Sequence, residues 1–183
     1  MYRLAALALP LVLIACDGGA EEDEPLTADG TWAGEVSMSF SAQHTAADTA
    51  LVYDIDAVQA YVLTLAERGT EGAYGGTLTL TDDGFVTRTE TLPDGSDGTE
   101  TEGVVNHTET YEVRGTFRDG TLDLALLRAP SDDVLDPPFA SGAFRLQDAS
   151  LTATLLVGPM GYPAAVRAPS TITLTRPDPD EDS

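Results

Sequence analysis

From residue 30 to residue 176 the chain alternates apolar and polar side chains with a period of two, interrupted by Gly, Asp and Pro, and this pattern is hard to reconcile with a helical fold. Successive residues of a strand point to opposite faces, so such a period buries one face and wets the other. Trp32, Gly34, Val36, Met38 and Phe40 share one phase of an opening strand, and Gln59, Tyr61, Leu63 and Leu65 share one phase of a second. Ser41 to Asp56 reads two ways: its Ala-rich half suits a helical turn, and Asp54-Ile55-Asp56 suits a strand. There is no internal repeat and no helical stretch long enough for a βαβ unit. The expected class is therefore all-β. About eight or nine strands suit a single antiparallel up-and-down barrel, with a β-sandwich as the alternative.

Alternation also proposes strand pairings, because a slip by one residue moves polar groups onto the apolar face. Around Asp119-Gly120, a two-residue turn signal, Phe117 faces Leu122, Gly115 faces Leu124 and Val113 faces Leu126. Around Asp82-Asp83-Gly84, a three-residue loop with Gly84 left-handed pairs Leu80 with Val86 and keeps Thr79 and Thr81 outside. A third hairpin, across Pro93 to Gly103, sets Leu92 opposite Val105, Glu90 opposite His107, Arg88 opposite Glu109 and Val86 opposite Tyr111. Residues 73–128 then form a four-stranded meander. Phe144 and Leu146 fold back on Ala153 and Leu151 about Asp148-Ala149, Ala129 to Ser141 is a loop across one end, and Thr171 to Arg176 is the last strand.

Ahead of this domain, Arg3 is followed by an apolar run from Leu4 to Ile14, which is too short to span a bilayer, since spanning needs about 20 apolar residues. The next residues, Leu13-Ile14-Ala15-Cys16, resemble the lipobox of bacterial lipoproteins. That resemblance implies export, cleavage between Ala15 and Cys16, lipid on Cys16 and a place in the cell envelope. Asp17 resembles the inner-membrane retention signal of enteric bacteria, a rule not shared by all bacteria, so either envelope membrane remains open. Cys16 is the only cysteine, so no disulfide staples the fold, and a single core must hold it. Four segments are expected: a signal peptide (1–15), a disordered acidic tether (16–29), the β domain (30–176) and a disordered acidic tail (177–183).

The formal net charge is −22, with no lysine among the basic residues. Such a surface repels phosphate backbones, which argues against nucleic acid, and it resists lying flat on anionic lipid.

Gly30-Thr31-Trp32 at the head of the first strand and Arg176 at the end of the last resemble the lipocalin and wider calycin families. There a Gly-x-Trp opens strand one and a basic residue from the final strand packs across the indole to close the barrel floor. The lipocalin Thr-Asp-Tyr motif and the usual disulfide are absent. The resemblance implies that Trp32 pairs with Arg176, Gly34 with Leu174 and Val36 with Ile172, around a cup for a small apolar ligand.

In the third hairpin's register, Arg88, Glu90, His107 and Glu109 share an inward face with Tyr111 and form a candidate ligand mouth. The competing reading is a long hairpin projecting beyond the body, wet on both faces. A facing Glu and His can exchange a proton, but no nucleophile or oxyanion element lies nearby, so no enzyme is expected. His44 and His107 lack metal-ligand spacing, and no cofactor fingerprint is present. Asp94, Ser96, Asp97 and Glu100 depart from the order of a calcium loop and read as a solvated turn, as do Asp132, Asp133 and Asp136. The expectation is a membrane-anchored, non-catalytic envelope lipoprotein that binds a small apolar ligand or an envelope protein. Its alternative is a structural or interaction lipoprotein with a filled barrel.

Overall fold

Eight antiparallel strands close into an up-and-down barrel in which each strand neighbours the next and the last returns to the first. The computed structural model describes residues 27–46, 49–92, 94–127, 137, 139–147 and 149–177. The expected signal peptide, Cys16, Asp17, the loop acids Asp132, Asp133 and Asp136, and the tail beyond Pro177 lie outside the described residues. The strands are β1 (Gly30–Ala46), β2 (Thr49–Glu67), β3 (Ala73–Thr91), β4 (Asp97–Arg118), β5 (Thr121–Leu127), β6 (Ser141–Gln147), β7 (Ser150–Val157) and β8 (Ala168–Thr175). No helix occurs among the described residues, and residues 41–46 and 49–56 belong to β1 and β2, with Ala46 opposite Thr49.

The two-residue period maps onto the barrel wall as the sequence requires. Residues in the inward phase meet in rows across β1 to β4: Trp32, Leu63, Leu78 and Tyr111 form one row, and Val36, Gln59, Asp82 and His107 another. Outward positions carry Thr pairs whose hydroxyls meet across strands, Thr79 with Thr110 at 2.9 Å and Thr81 with Thr108 at 3.1 Å. Acids such as Asp56, Asp83 and Glu102 are also exposed there. Inward positions are mostly apolar, Gln59 and Asp82 excepted, and outward ones mostly polar, with Val58, Val62, Phe85, Val104 and Leu156 the large apolar side chains exposed among them.

The floor is where the chain ends meet. Ala33 pairs with Thr175, which is the register expected from setting Trp32 against Arg176. The Arg176 guanidinium lies 4.7 Å from the centre of the Trp32 ring, an arrangement worth about 0.5–2 kcal/mol. Arg176 also donates to the carbonyls of Thr27 and Asp29, at 3.2 and 3.1 Å, and the buried Trp32 indole N–H donates to the Ala28 carbonyl at 3.0 Å. Thr27, Ala28 and Asp29, assigned by composition to the tether, are thus part of the floor. The Asp119-Gly120 hairpin has the expected register, Phe117 opposite Leu122, with positive φ at both turn residues (50° and 74°). Leu146 sits opposite Leu151 as expected.

Two expectations are corrected. Asp82-Asp83-Gly84 is not a turn, because β3 runs straight through it; Asp82 points inward to buried donors, and Gly84, at φ 150°, lies where the backbone of β2 comes close. Consequently β3 and β4 pair eight residues away from the expected register, with Val105 opposite Gly84, His107 opposite Asp82, Glu109 opposite Leu80 and Tyr111 opposite Leu78. Their turn is short. The Leu92 N–H bonds the Ser96 carbonyl at 2.9 Å, so residues 98–103 belong to β4 rather than to a loop. An even shift leaves every side chain on its own face, so alternation could not reject it. One strand replaces two, and the total is eight.

β1 to β4 are 17 to 22 residues long and β5 to β8 only 7 or 8. β5 ends at Leu127, opposite Glu112, so the long strands continue past the closed barrel as a four-stranded extension at the end away from the floor. The long strands do project there, but not wet on both faces as the competing sequence reading held, since Tyr53, Ile55 and Val86 are buried on the inner side.

A Cβ on Gly34 would lie 2.2 Å from the Thr173 carbonyl oxygen, a contact only displacement of β1 from β8 relieves. Gly34→Ala is expected to lower unfolding stability in urea by about 1–3 kcal/mol, while Ala33→Ser, on the outer face of the same strand, changes it by under about 0.5 kcal/mol.

Candidate functional site

At the top of the closed barrel the inward phase turns polar. Gln59 of β2 and Asp82 of β3 are register partners and fully buried. A buried carboxylate needs donors, and Asp82 has two: the Gln59 side-chain amide at 2.6 Å and the Met160 backbone N–H at 2.6 Å. The Gln59 carbonyl oxygen in turn accepts from the Tyr61 hydroxyl. Met160 belongs to the segment between β7 and β8, which crosses the barrel top as a plug. Its Met160 and Val166 side chains are buried, and the Tyr111 hydroxyl reaches the Met160 sulfur at 3.4 Å. Asp82 therefore holds the plug by its backbone.

Burial pushes the Asp82 carboxyl above the usual aspartate range, against the pull of the Met160 and Gln59 hydrogen bonds and of nearby His107. Burial also raises the Tyr61 phenol, with the Asp82 charge adding to the effect.

The residues of the candidate mouth are not brought together. Arg88 faces Thr101 instead of Glu109, a displacement of about 27 Å along the strand at 3.3–3.4 Å per residue. Arg88 and Glu90 stay close as an ion pair at 2.8 Å on the extension. His107 and Glu109 lie past the end of β5, His107 exposed beside Asp82 and Glu109 half-buried opposite Leu80. Tyr111 is deep in the core, in the row of Trp32.

A different set gathers above the plug. Tyr53 of β2, Arg88 of β3 and Thr101 of β4 are successive partners in one row, with Val86 opposite Gly103 beneath them. Gly161, Tyr162 and Pro163 of the plug form the facing wall of a groove of about 320 Å³. The Tyr53 and Tyr162 rings stand perpendicular, 6.1 Å apart. Burial raises the Tyr162 phenol, Tyr53 adds to the shift, and Arg88 opposes it. The Nε of Arg88 is buried without a hydrogen-bond partner, the single such side-chain atom among the described residues.

Gln59, Asp82 and Tyr162 were missed in the sequence. Gln59 stands in an apolar phase between Ala57 and Tyr61, which was the visible signal. Asp82 has the same signature once β3 is read as continuous, whereas nothing local to Tyr162 brings it to Tyr53. No cluster of three metal-ligating side chains occurs among the described residues, and Asp94 caps Ser96 as a turn residue, at 3.0 Å to its N–H.

Asp82→Ala removes the acceptor for two buried donors and is expected to cost about 1–3 kcal/mol, with Asp82→Asn intermediate because it keeps one acceptor oxygen. Since the folded-state pKa is raised, the carboxyl favours folding most below its unfolded value, and that advantage is lost as pH rises through the folded value. The stability of wild type minus that of Asp82→Asn, from paired urea titrations, is thus expected to grow as pH falls from neutral towards the ordinary aspartate value. A flat or opposite trend would refute the burial argument.

No family model matches the chain, and no curated protein or solved structure is significantly similar to it.

Proposed function

We propose that the protein is an envelope lipoprotein, held at a membrane by lipid on Cys16, whose filled barrel is a rigid non-catalytic stand that presents its far end to a ligand or partner. The observation that carries this reading is the occupied barrel axis. Met38, Tyr61, Leu80 and Tyr111, each at most 1 % exposed, fill it, and the plug covers them. A closely packed interior has no free volume of ligand size, and an apolar guest would have to displace several of these side chains. The filled-barrel alternative is therefore favoured over an internal cup.

The positions of the chain ends support the orientation. Thr27 and Arg176 meet at the floor, so a tether from Cys16 leaves from that end. Eleven residues reach at most about 40 Å at 3.3–3.6 Å each, which keeps the floor near the bilayer and turns the extension away from it. Acidic surface charge works in the same direction, holding the body off anionic lipid. Anchoring by several acyl chains is firm, at about 0.8 kcal/mol per buried methylene.

Cys16→Ser is expected to move the protein from the membrane pellet to the soluble fraction. Native mass spectrometry of that soluble full chain should give the unliganded mass; a retained lipid or other apolar molecule would overturn the filled-barrel reading.

A further inference from the structure

We propose that the outer edge of β4 pairs with the same edge of a second copy of this chain, antiparallel about Val104, so that two distal extensions share one sheet. The inference rests on the distal-end reading above and names a second copy as the partner that end meets.

The backbone supplies the edge. β5 leaves β4 at the pair Glu112–Leu127, and from there to Glu100 β4 is paired only with β3 among the described residues. The Phe117 N–H donates to the Gly72 carbonyl, on the β3 side, at 2.7 Å, and the β3–β4 register runs without a shift from Thr116 to Glu100. Odd-numbered residues of β4 therefore turn their N–H and C=O groups to β3, and even-numbered ones turn theirs away. Glu100, Glu102, Val104, Asn106, Thr108 and Thr110 thus offer a row of donors and acceptors to an incoming strand, with no Pro to interrupt it.

The side chains fix the register. On the outer face Asp56, Phe85 and Val104 are successive partners in one row. Phe85 is 50 % exposed, and Val104, at 67 %, is the most exposed large apolar side chain among the described residues. A two-fold axis through Val104 sets Val104 on Val104 with a Phe85 on either side, so four apolar side chains leave water in one line. Glu102 then faces Asn106 and Glu100 faces Thr108, and each carboxylate meets a neutral donor. An axis through Glu102 would set that carboxylate on itself, and one through Asn106 would set Glu100 on Glu112. The registers between these place Val104 against Glu102 or Asn106, so only the pairing about Val104 both joins the apolar residues and separates the acids. A basic strand from another protein would suit Glu100 and Glu102 but not Phe85 and Val104.

Antiparallel pairing also orients the two molecules. It points their floors in opposite directions, while each tether keeps its floor within about 40 Å of a bilayer. Two anchored copies therefore pair across facing membrane surfaces, not side by side on one.

The test uses the soluble full chain carrying Cys16→Ser, which leaves no other thiol, so Val104→Cys in that background is a single-cysteine reporter. Residues that exchange backbone bonds across an antiparallel pair lie about 5.5 Å apart at Cα, within disulfide reach, whereas Asn106→Cys lies roughly 13 Å along the strand from its own copy. Under diamide, which takes up the two electrons and two protons released by the thiols, Val104→Cys is expected to form the covalent dimer at least about tenfold faster than Asn106→Cys. Sedimentation equilibrium of the Cys16→Ser chain should show a dimer that grows with concentration and with salt, since salt screens the repulsion between two bodies of charge −22. Val104→Lys should abolish it and Val62→Lys, two strands from the edge, should not, with thermal unfolding confirming that each variant is folded. Lipidated wild type in phosphatidylcholine vesicles should cluster them, and lipidated Val104→Lys should leave them dispersed. The proposal is overturned by a monomer at every concentration, or by equal disulfide rates at the two positions. It is also overturned if the amides of Glu102 to Thr108 are already protected from hydrogen exchange in the dilute monomer, which marks the edge as covered by the chain itself. A peptide of alternating Lys and Val that protects those amides while the chain stays monomeric overturns the assignment to a second copy. A dimer in solution without vesicle clustering overturns the anchored, distal-end reading and leaves the pairing standing.

Discussion

Closure of β1 against β8 is the constraint on which the other features depend. An open sheet of eight strands would expose two edges of unpaired backbone, and joining them removes that liability. The join is made by few groups. Trp32 supplies a large buried ring, Arg176 covers it and ties down the carbonyls of Thr27 and Asp29, and Gly34 allows the strands to approach where any side chain would hold them apart. The Asp29 carboxylate also accepts from the Glu67 N–H at 2.7 Å, linking the segment before β1 to the end of β2. With the floor fixed in this way, the rows of inward side chains above it fall into register.

The upper half of the molecule is built on unequal strand lengths. Because β5 to β8 stop early, the inner face of the four long strands would be left open, and the chain fills that space with its own β7–β8 connection. A backbone segment placed there needs acceptors for its N–H groups. Asp82 provides one, at the cost of burying a carboxylate, and Gln59 and Tyr61 continue the hydrogen-bonded line into the core. The same connection then carries Tyr162 to the wall of the groove, so the polar cluster inside and the aromatic corner outside are two faces of one loop.

Much of this fold was legible in the residues, and the failures have a common cause. Trp32 and Arg176 stand at the ends of the pattern, and the register through them was recoverable because a closed barrel must bring first and last strands together. The Asp119-Gly120 hairpin was local and strongly signalled. By contrast, Asp82-Asp83-Gly84 has the composition of a turn, and it is pairing with β2 and β4 on either side, with buried donors from Gln59 and Met160 for Asp82, that holds it as a strand. That single misreading displaced the β3–β4 pairing by an even number of residues, which the two-residue period tolerates, and it scattered the candidate mouth of Arg88, Glu90, His107, Glu109 and Tyr111. Two members, Arg88 and Glu90, do belong to the groove's surroundings, because their inward phase was right although their partners were not. Tyr162 carries no periodic signal, being in an irregular segment.

The pairing of Ala33 with Thr175 also governs how such a chain can reach its folded state. The two residues lie near opposite ends of the domain, so closing the ring means closing the longest loop available, and no earlier contact can substitute for it. Folds dominated by distant pairings assemble on the scale of milliseconds to seconds, far more slowly than helical ones. The growing meander of β1 to β4 can form from neighbouring hairpins, but its inner face stays uncovered until β8 arrives. A chain of this design completes itself only after its last strand is available, so during synthesis from the N-terminus ring closure is the final event.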